Sequence, residues 1–157
     1  SEDPSTSFQN TLDEITDTDT SVTSKGRKEQ SKLRNYLFGD SKIYECALCK
    51  EKYPIEFMVA AHIKPRAKCT EEERKDLNIV MPLCKIGCDE LYEKDFLQVT
   101  DEGTISKNKF KNYSEGLNKL IDDKRYKDKK CSYHNEKTIG YFKDKINLFK
   151  ENFNLST

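Results

Sequence analysis

Cys46 and Cys49 form a C-x2-C pair, Cys84 and Cys88 form a C-x3-C pair, and His62 stands between them. A short-spaced pair aims two sulfurs at one point. Two such pairs, separated by 34 intervening residues, match a structural zinc site of four thiolates. Such an ion joins distant segments and supplies folding energy that a small core lacks. Cys69 and Cys131 fall outside this scheme and read as ordinary thiols. His62 offers a different chemistry, because a neutral imidazole accepts a proton from water near pH 7. Asp89 and Glu93 are four residues apart, which on a helix puts both carboxylates on one face. Their oxygens suit one hard cation, Mg2+ or Mn2+, with positions left open for phosphate oxygens and water. A base and a cation together are the equipment for hydrolysing a phosphodiester. Taken singly, each feature has a plainer role: buried thiols, a structural histidine, a solvated acidic face.

These residues need elements to position them. Ile43 to Cys49 leads into a zinc knuckle, and Phe57 to Ile63 is a compact apolar run that reads as a strand carrying His62 near its end. Ala67 to Asp76 is polar and acidic, a loop or short exposed helix. Asn78 to Leu83 is a second strand, expected to be irregular because of Pro82. Asp89 to Phe96 reads as a helix. Leu97 to Val99 and Thr104 to Ile105 form a hairpin around Asp101-Glu102-Gly103. Outside this core, Lys25 to Phe38 is helix-forming with Gly39 as a stop, and Ser114 to Arg125 is a further helix. Ile139, Phe142, Ile146, Phe149 and Phe153 recur at spacings of 3 and 4, which is one apolar face of a core-packing helix. Asn135 is its expected N-cap.

Composition limits the rest. Of the 157 residues, 34% are hydrophobic and 36% are charged, so apolar burial alone makes a thin core and a staple is expected. The paired cysteine spacings and the absence of an apolar signal or membrane run favour metal over disulfides, and with it a reducing cytoplasm and no membrane partner. The net charge of zero conceals a bias: residues 1–24 carry six acids and no Lys or Arg, leaving 28 bases against 22 acids beyond them. Residues 1–24, rich in Ser, Thr and Asp, read as a disordered or linker segment. A start at Ser is expected of a processed chain or a piece of a longer one with an upstream domain. The basic surplus suits a phosphate backbone.

The order of these parts resembles a known family. Cys-x2-Cys, Ala-Ala-His-Ile-Lys-Pro, an Asn, Leu-Cys, and then Asp-Glu-Leu-Tyr-Glu-Lys-Asp-Phe-Leu-Gln-Val-Thr-Asp-Glu-Gly look like an HNH endonuclease of the ββα-metal type. The subgroup it most resembles carries Ala-His-Ile-x-Pro, and many of its members belong to restriction or other defence systems. The resemblance is strong over Cys46 to Ile105 and weaker over Asn135 to Phe153. It implies that His62 activates the attacking water, that Asn78 braces the loop orienting it, and that Asp89, the third signature position, binds a catalytic Mg2+ or Mn2+ with Glu93. Three departures stand out. Ala61, where the family often has a further ligand, cannot coordinate a metal. The interval from Asn78 to Asp89 is longer by one or two residues, and Glu93 replaces the more frequent Asp.

The expected protein is therefore α+β: a small ββα-metal core (43–105) stapled by zinc on Cys46, Cys49, Cys84 and Cys88, with flanking helices and a C-terminal helical part (107–157), all within one domain over 25–157. The expected activity is metal-dependent cleavage of DNA, with Lys64 and Arg66 gripping phosphates. No base-reading element is evident, so specificity is expected from a partner subunit, a homodimer or an upstream domain. The rivals are a catalytically degenerate, zinc-stapled nucleic-acid-binding module and a zinc-ribbon-like protein interaction domain.

Overall fold

The computed structural model describes residues 20–127 and 129–153; of the linker expected over residues 1–24, residues 1–19 lie outside them and residues 20–24 belong to a helix. The chain divides into two units, Ser1–Lys32 and Leu33–Thr157. Helix α1 (Thr20–Phe38) begins earlier than the expected Lys25 and ends as expected. Gly39 takes φ +53° and donates its N–H to the Asn35 carbonyl at 2.8 Å, the left-handed stop that glycine supplies without penalty. Within the second unit, Leu33 and Phe38 are buried. Arg34 donates to the carbonyls of Met58 and Ile55 at 2.7 and 3.0 Å.

Three antiparallel strand pairs follow. β1 (Ile43–Glu45) pairs with β2 (Lys52–Pro54), β3 (Met58–His62) with β4 (Val80–Cys84), and β5 (Leu97–Val99) with β6 (Ile105–Lys107). In the β3–β4 ladder Met58 faces Cys84, Ala60 faces Pro82 and His62 faces Val80. The ladder is regular through Pro82, against expectation. Pro82 turns its carbonyl away from β3 to accept the Ala47 N–H at 2.8 Å. Its missing N–H is on that same outer side, where the ladder needs no donor.

The β3–β4 connection holds α2 (Glu71–Lys75), whose N-terminus is closed by a reciprocal pair: Glu73 N–H to Thr70 Oγ1 and Thr70 N–H to the Glu73 carboxylate. α3 (Cys88–Glu93) stops short of the expected Phe96. Asp95 adopts φ +63°, and the N–H groups of Phe96 and Asp95 turn back to the carbonyls of Leu91 and Tyr92, a Schellman ending. α4 (Glu115–Lys124) is capped by Ser114, which accepts the Leu117 N–H, and ends at left-handed Arg125. α5 (Ile139–Asn152) starts after Thr138, and the N-cap expected at Asn135 is not one. Asn135 heads the preceding turn, its side chain accepting the Lys137 N–H and its carbonyl the Ile139 N–H.

Among the described residues the architecture is thus a small α+β fold of five helices and short strand pairs. Its core gathers Leu48, Met58, Ile79, Leu83, Tyr92 and Phe142 around the β3–β4 pair. Among the described residues no helix is long and apolar enough to cross a membrane.

Candidate functional site

Two sites share the β3–β4–α3 unit. The first is the cysteine cluster. Lys50, at φ +67°, bends the chain back after Cys49, and the knuckle is closed by the Lys50 N–H on the Cys46 carbonyl (3.1 Å) and the Cys46 N–H on the Glu51 carbonyl (2.9 Å). At the other pair Gly87, at φ +117°, lets Cys88 open α3 directly after β4 delivers Cys84. All four residues are fully buried, and their sulfurs lie within 4.8 Å of one another. Among the described residues this is the one group of three or more His, Cys, Asp or Glu side chains packed closely enough to share an ion. Four soft sulfurs suit a metal ion such as zinc.

Residues after Lys107, which the sequence leaves as a polar stretch with one helix, cover this cluster. The Tyr126 hydroxyl lies 2.7 Å from Cys88 Sγ. Lys124 Nζ reaches Cys84 Sγ at 3.7 Å and the Tyr53 hydroxyl at 3.0 Å. Burial works against the Lys124 ammonium, but the Tyr53 hydroxyl and the charges of Cys84, Cys88 and Cys49 outweigh it and raise its pKa. Hydrogen bonds from Cys46, Cys49 and Cys88 hold the Cys84 thiol far below its ordinary value, and one from Cys46 lowers Cys49 to about 7. The same hydrogen bonds between sulfurs push Cys46 and Cys88 far above the ordinary thiol value, so the four groups share protons two and two, and a metal ion would have to displace the remaining protons to bind four thiolates.

The second site is a cleft of about 430 Å³ on the β3–α3 side, lined by His62, Arg66, Asp89, Tyr92, Glu93 and Lys145 among others. His62 arrives at the end of β3, and Arg66 from the turn that follows. Asp89 and Glu93 come from α3, one turn apart. Burial, then the charges of Glu93 and Glu90, pushes the Asp89 carboxyl above its ordinary value. The α3 helix is tied to the end of the strand carrying His62 by the fully buried Tyr92, whose hydroxyl donates to the Ile63 carbonyl at 2.6 Å.

Two of the residues expected here are placed elsewhere. Lys64 does not line the cleft: its ammonium sits between Glu73 (3.0 Å) and Asp144 (3.2 Å). Asn78 also lies outside the cleft wall, and its backbone N–H and side-chain amide both donate to Asp76 Oδ1. The other Asp76 oxygen accepts the Tyr141 hydroxyl of α5, so Asp76 links Asn78 to α5.

Sequence reading missed Lys145. It is 6% exposed, lines the cleft, donates to the Glu93 carbonyl at 3.0 Å and pairs with Asp95 at 3.1 Å. The only available signal was a lysine beside the apolar face of α5, which reads equally well as an ordinary surface charge.

No protein-family model and no curated protein matches this chain.

Proposed function

We propose that the chain is a metal-dependent endonuclease of the HNH type that hydrolyses phosphodiester bonds in DNA, the cleavage part of a restriction or other defence enzyme. The observation that carries this reading is that His62, Asp89, Glu93 and Arg66, drawn from three separate elements, line one cleft. That is the set a phosphodiesterase needs: a base, two hard oxygen ligands and a cation for phosphate.

In this reading His62 takes the proton of a water attacking phosphorus in line with the leaving 3′ oxygen. The carbonyl of Ile63, held by Tyr92, and the loop braced by Asn78 through Asp76 fix the backbone on which the imidazole stands. Arg66 holds a non-bridging phosphate oxygen. Asp89 and Glu93 would hold one Mg2+ or Mn2+, which supplies neutralisation of the charge developing in the transition state. The donor set fits a hard ion, since two carboxylates within one turn repel each other, and Asp89 is raised by burial and then by the charges of Glu93 and Glu90. The four thiolates would hold zinc as a staple, apart from the chemistry.

A second reading has one observation in its favour. Ala61 contributes no ligand to the cleft, so the catalytic ion rests on two carboxylates, and a domain that binds nucleic acid without cutting it would have the same outline. Plasmid nicking by zinc-loaded protein in Mg2+, Mn2+ or EDTA, with His62→Ala in parallel, separates them. Metal-dependent nicking that is lost in His62→Ala is the expected result. No nicking in either protein, alongside salt-sensitive DNA binding, assigns the non-catalytic module.

A further inference from the structure

The segment joining β6 to α4 lies against the C-terminal half of α5 and carries a surface that the cleft chemistry does not use. Phe110 and Phe153 are 50% and 49% exposed, and between them lies buried Phe149. The Phe110 and Phe149 rings are 6.4 Å apart and tilted by 35°, and those of Phe149 and Phe153 are 4.5 Å apart and tilted by 31°. Three rings thus run in a row with two of them open to water.

Lysines edge that row. Lys109 Nζ lies 5.2 Å from the Phe110 centroid, and Lys111 Nζ lies 5.7 and 5.4 Å from those of Phe149 and Phe153. A groove of about 400 Å³ beside Phe110 is lined by Lys107, Lys109 and Lys150 as well, with no Asp or Glu in its wall. The next cleft along α5 is lined by Asp101 and Glu102 of the hairpin turn, and on α5 itself the exposed Glu151 lies between Phe149 and Phe153 in sequence.

The backbone that carries the exposed Phe110 ring is also held in place. Asn108, 2% exposed, donates its amide to the Asp95 carbonyl at 2.8 Å and accepts the Phe110 N–H at 3.0 Å. The Tyr113 hydroxyl closes the same turn on the carbonyls of Phe96 and Asn108. A phenylalanine fixed half in water is unfavourable for the isolated chain, and ordering it in advance removes that cost from a binding event.

We infer that the Phe110–Phe149–Phe153 row and its lysines form a platform for single-stranded DNA, with unpaired bases stacking on the open rings and phosphates held by Lys109, Lys111 and Lys150. Alternation of π faces with ammonium groups complements a strand that alternates bases with phosphates. A duplex does not complement it, because its base faces are already stacked. The inference goes beyond the cleavage reading and does not depend on it, since the platform binds whether or not the cleft cuts.

The chain contains no Trp, so Phe110→Trp introduces a single indole at the platform. Titrating that variant with short oligo(dT), without added Mg2+ or Mn2+, is expected to quench its emission, and a blunt duplex at equal phosphate concentration is not. Phe110→Ala is expected to weaken binding of labelled oligo(dT) by about tenfold while leaving duplex binding unchanged and the zinc content intact. An unquenched indole, or oligo(dT) binding unchanged in Phe110→Ala, overturns the platform. Polyglutamate bound more tightly than oligo(dT), with the same dependence on Phe110, overturns it in favour of an acidic protein partner.

Discussion

The Tyr92 hydroxyl donates to the Ile63 carbonyl at 2.6 Å inside the core, joining α3 to the residue that follows His62. This one bond couples the helix carrying both cleft carboxylates to the strand end carrying the imidazole. Tyr92→Phe leaves a buried carbonyl without its donor and should cost about 1–3 kcal/mol of stability. Urea denaturation measures that loss. In the proposed nuclease, nicking at a temperature where the variant is fully folded should fall as well, since the imidazole loses its fixed backbone.

The cysteine cluster predicts one zinc per chain by elemental analysis. Cys84→Ser should lose the ion and with it cooperative unfolding, because most of the stability of such small sites is metal binding. Asp89→Ala combined with Glu93→Ala should retain the zinc and, in the proposed nuclease, lose Mg2+-dependent nicking. Zinc lost from that double variant would show that the two sites had been confused.

Acid should loosen the β3–β4 connection. The Thr70 N–H and the Lys64 ammonium hold the Glu73 carboxyl below its ordinary 4.5. At Asp76 burial acts upward, but the Tyr141 hydroxyl and the Asn78 donors outweigh it and hold the carboxyl below 3.8. A carboxyl depressed by folding stabilises the protein above its unfolded value, and that stability is lost as pH falls through the folded one. The urea midpoint should therefore be insensitive to these groups at neutral pH and decline below pH 4.5. Tyr141→Phe should make the decline shallower.

Gly103 turns the β5–β6 hairpin at φ +86°, and a Cβ there would lie 2.8 Å from His134 Nδ1. Gly103→Ala should destabilise the fold by roughly 1–3 kcal/mol through backbone strain, with the clash added. Placing His134→Ala in the same chain should recover the clash and leave the strain, a partial rescue that thermal melting can resolve.

Lys145 buries its ammonium against the Glu93 carbonyl and the Asp95 carboxylate. Lys145→Met keeps the length of the side chain and removes the charge. Because Asp95 is 22% exposed in that pair, water recovers part of the loss, and the cost should be about 2 kcal/mol rather than the full penalty of a buried, broken pair. Denaturant unfolding measures it, and Asp95→Asn in the same chain should reduce it.

Much of this protein was legible along the chain, because the signals involved are local. Cysteine spacing places two sulfurs at each turn whatever surrounds them. The apolar run before His62 reads as a strand, and the 3-and-4 recurrence from Ile139 to Phe153 reads as a helix from neighbours a turn apart. Gly39, Gly103 and Ser114 punctuate the elements through their own backbone chemistry. Tertiary packing decided what those signals leave open. It paired Lys64 with Glu73 and Asp144, and set the Asn78 amide against Asp76. It brought Lys145 to Glu93 across 52 residues and Tyr126 to Cys88 across 38. It also left Phe153 in water on a face whose periodicity reads as core. The reason is that a charge or ring is satisfied by whichever partner the folded chain brings within reach, and sequence spacing does not encode that distance.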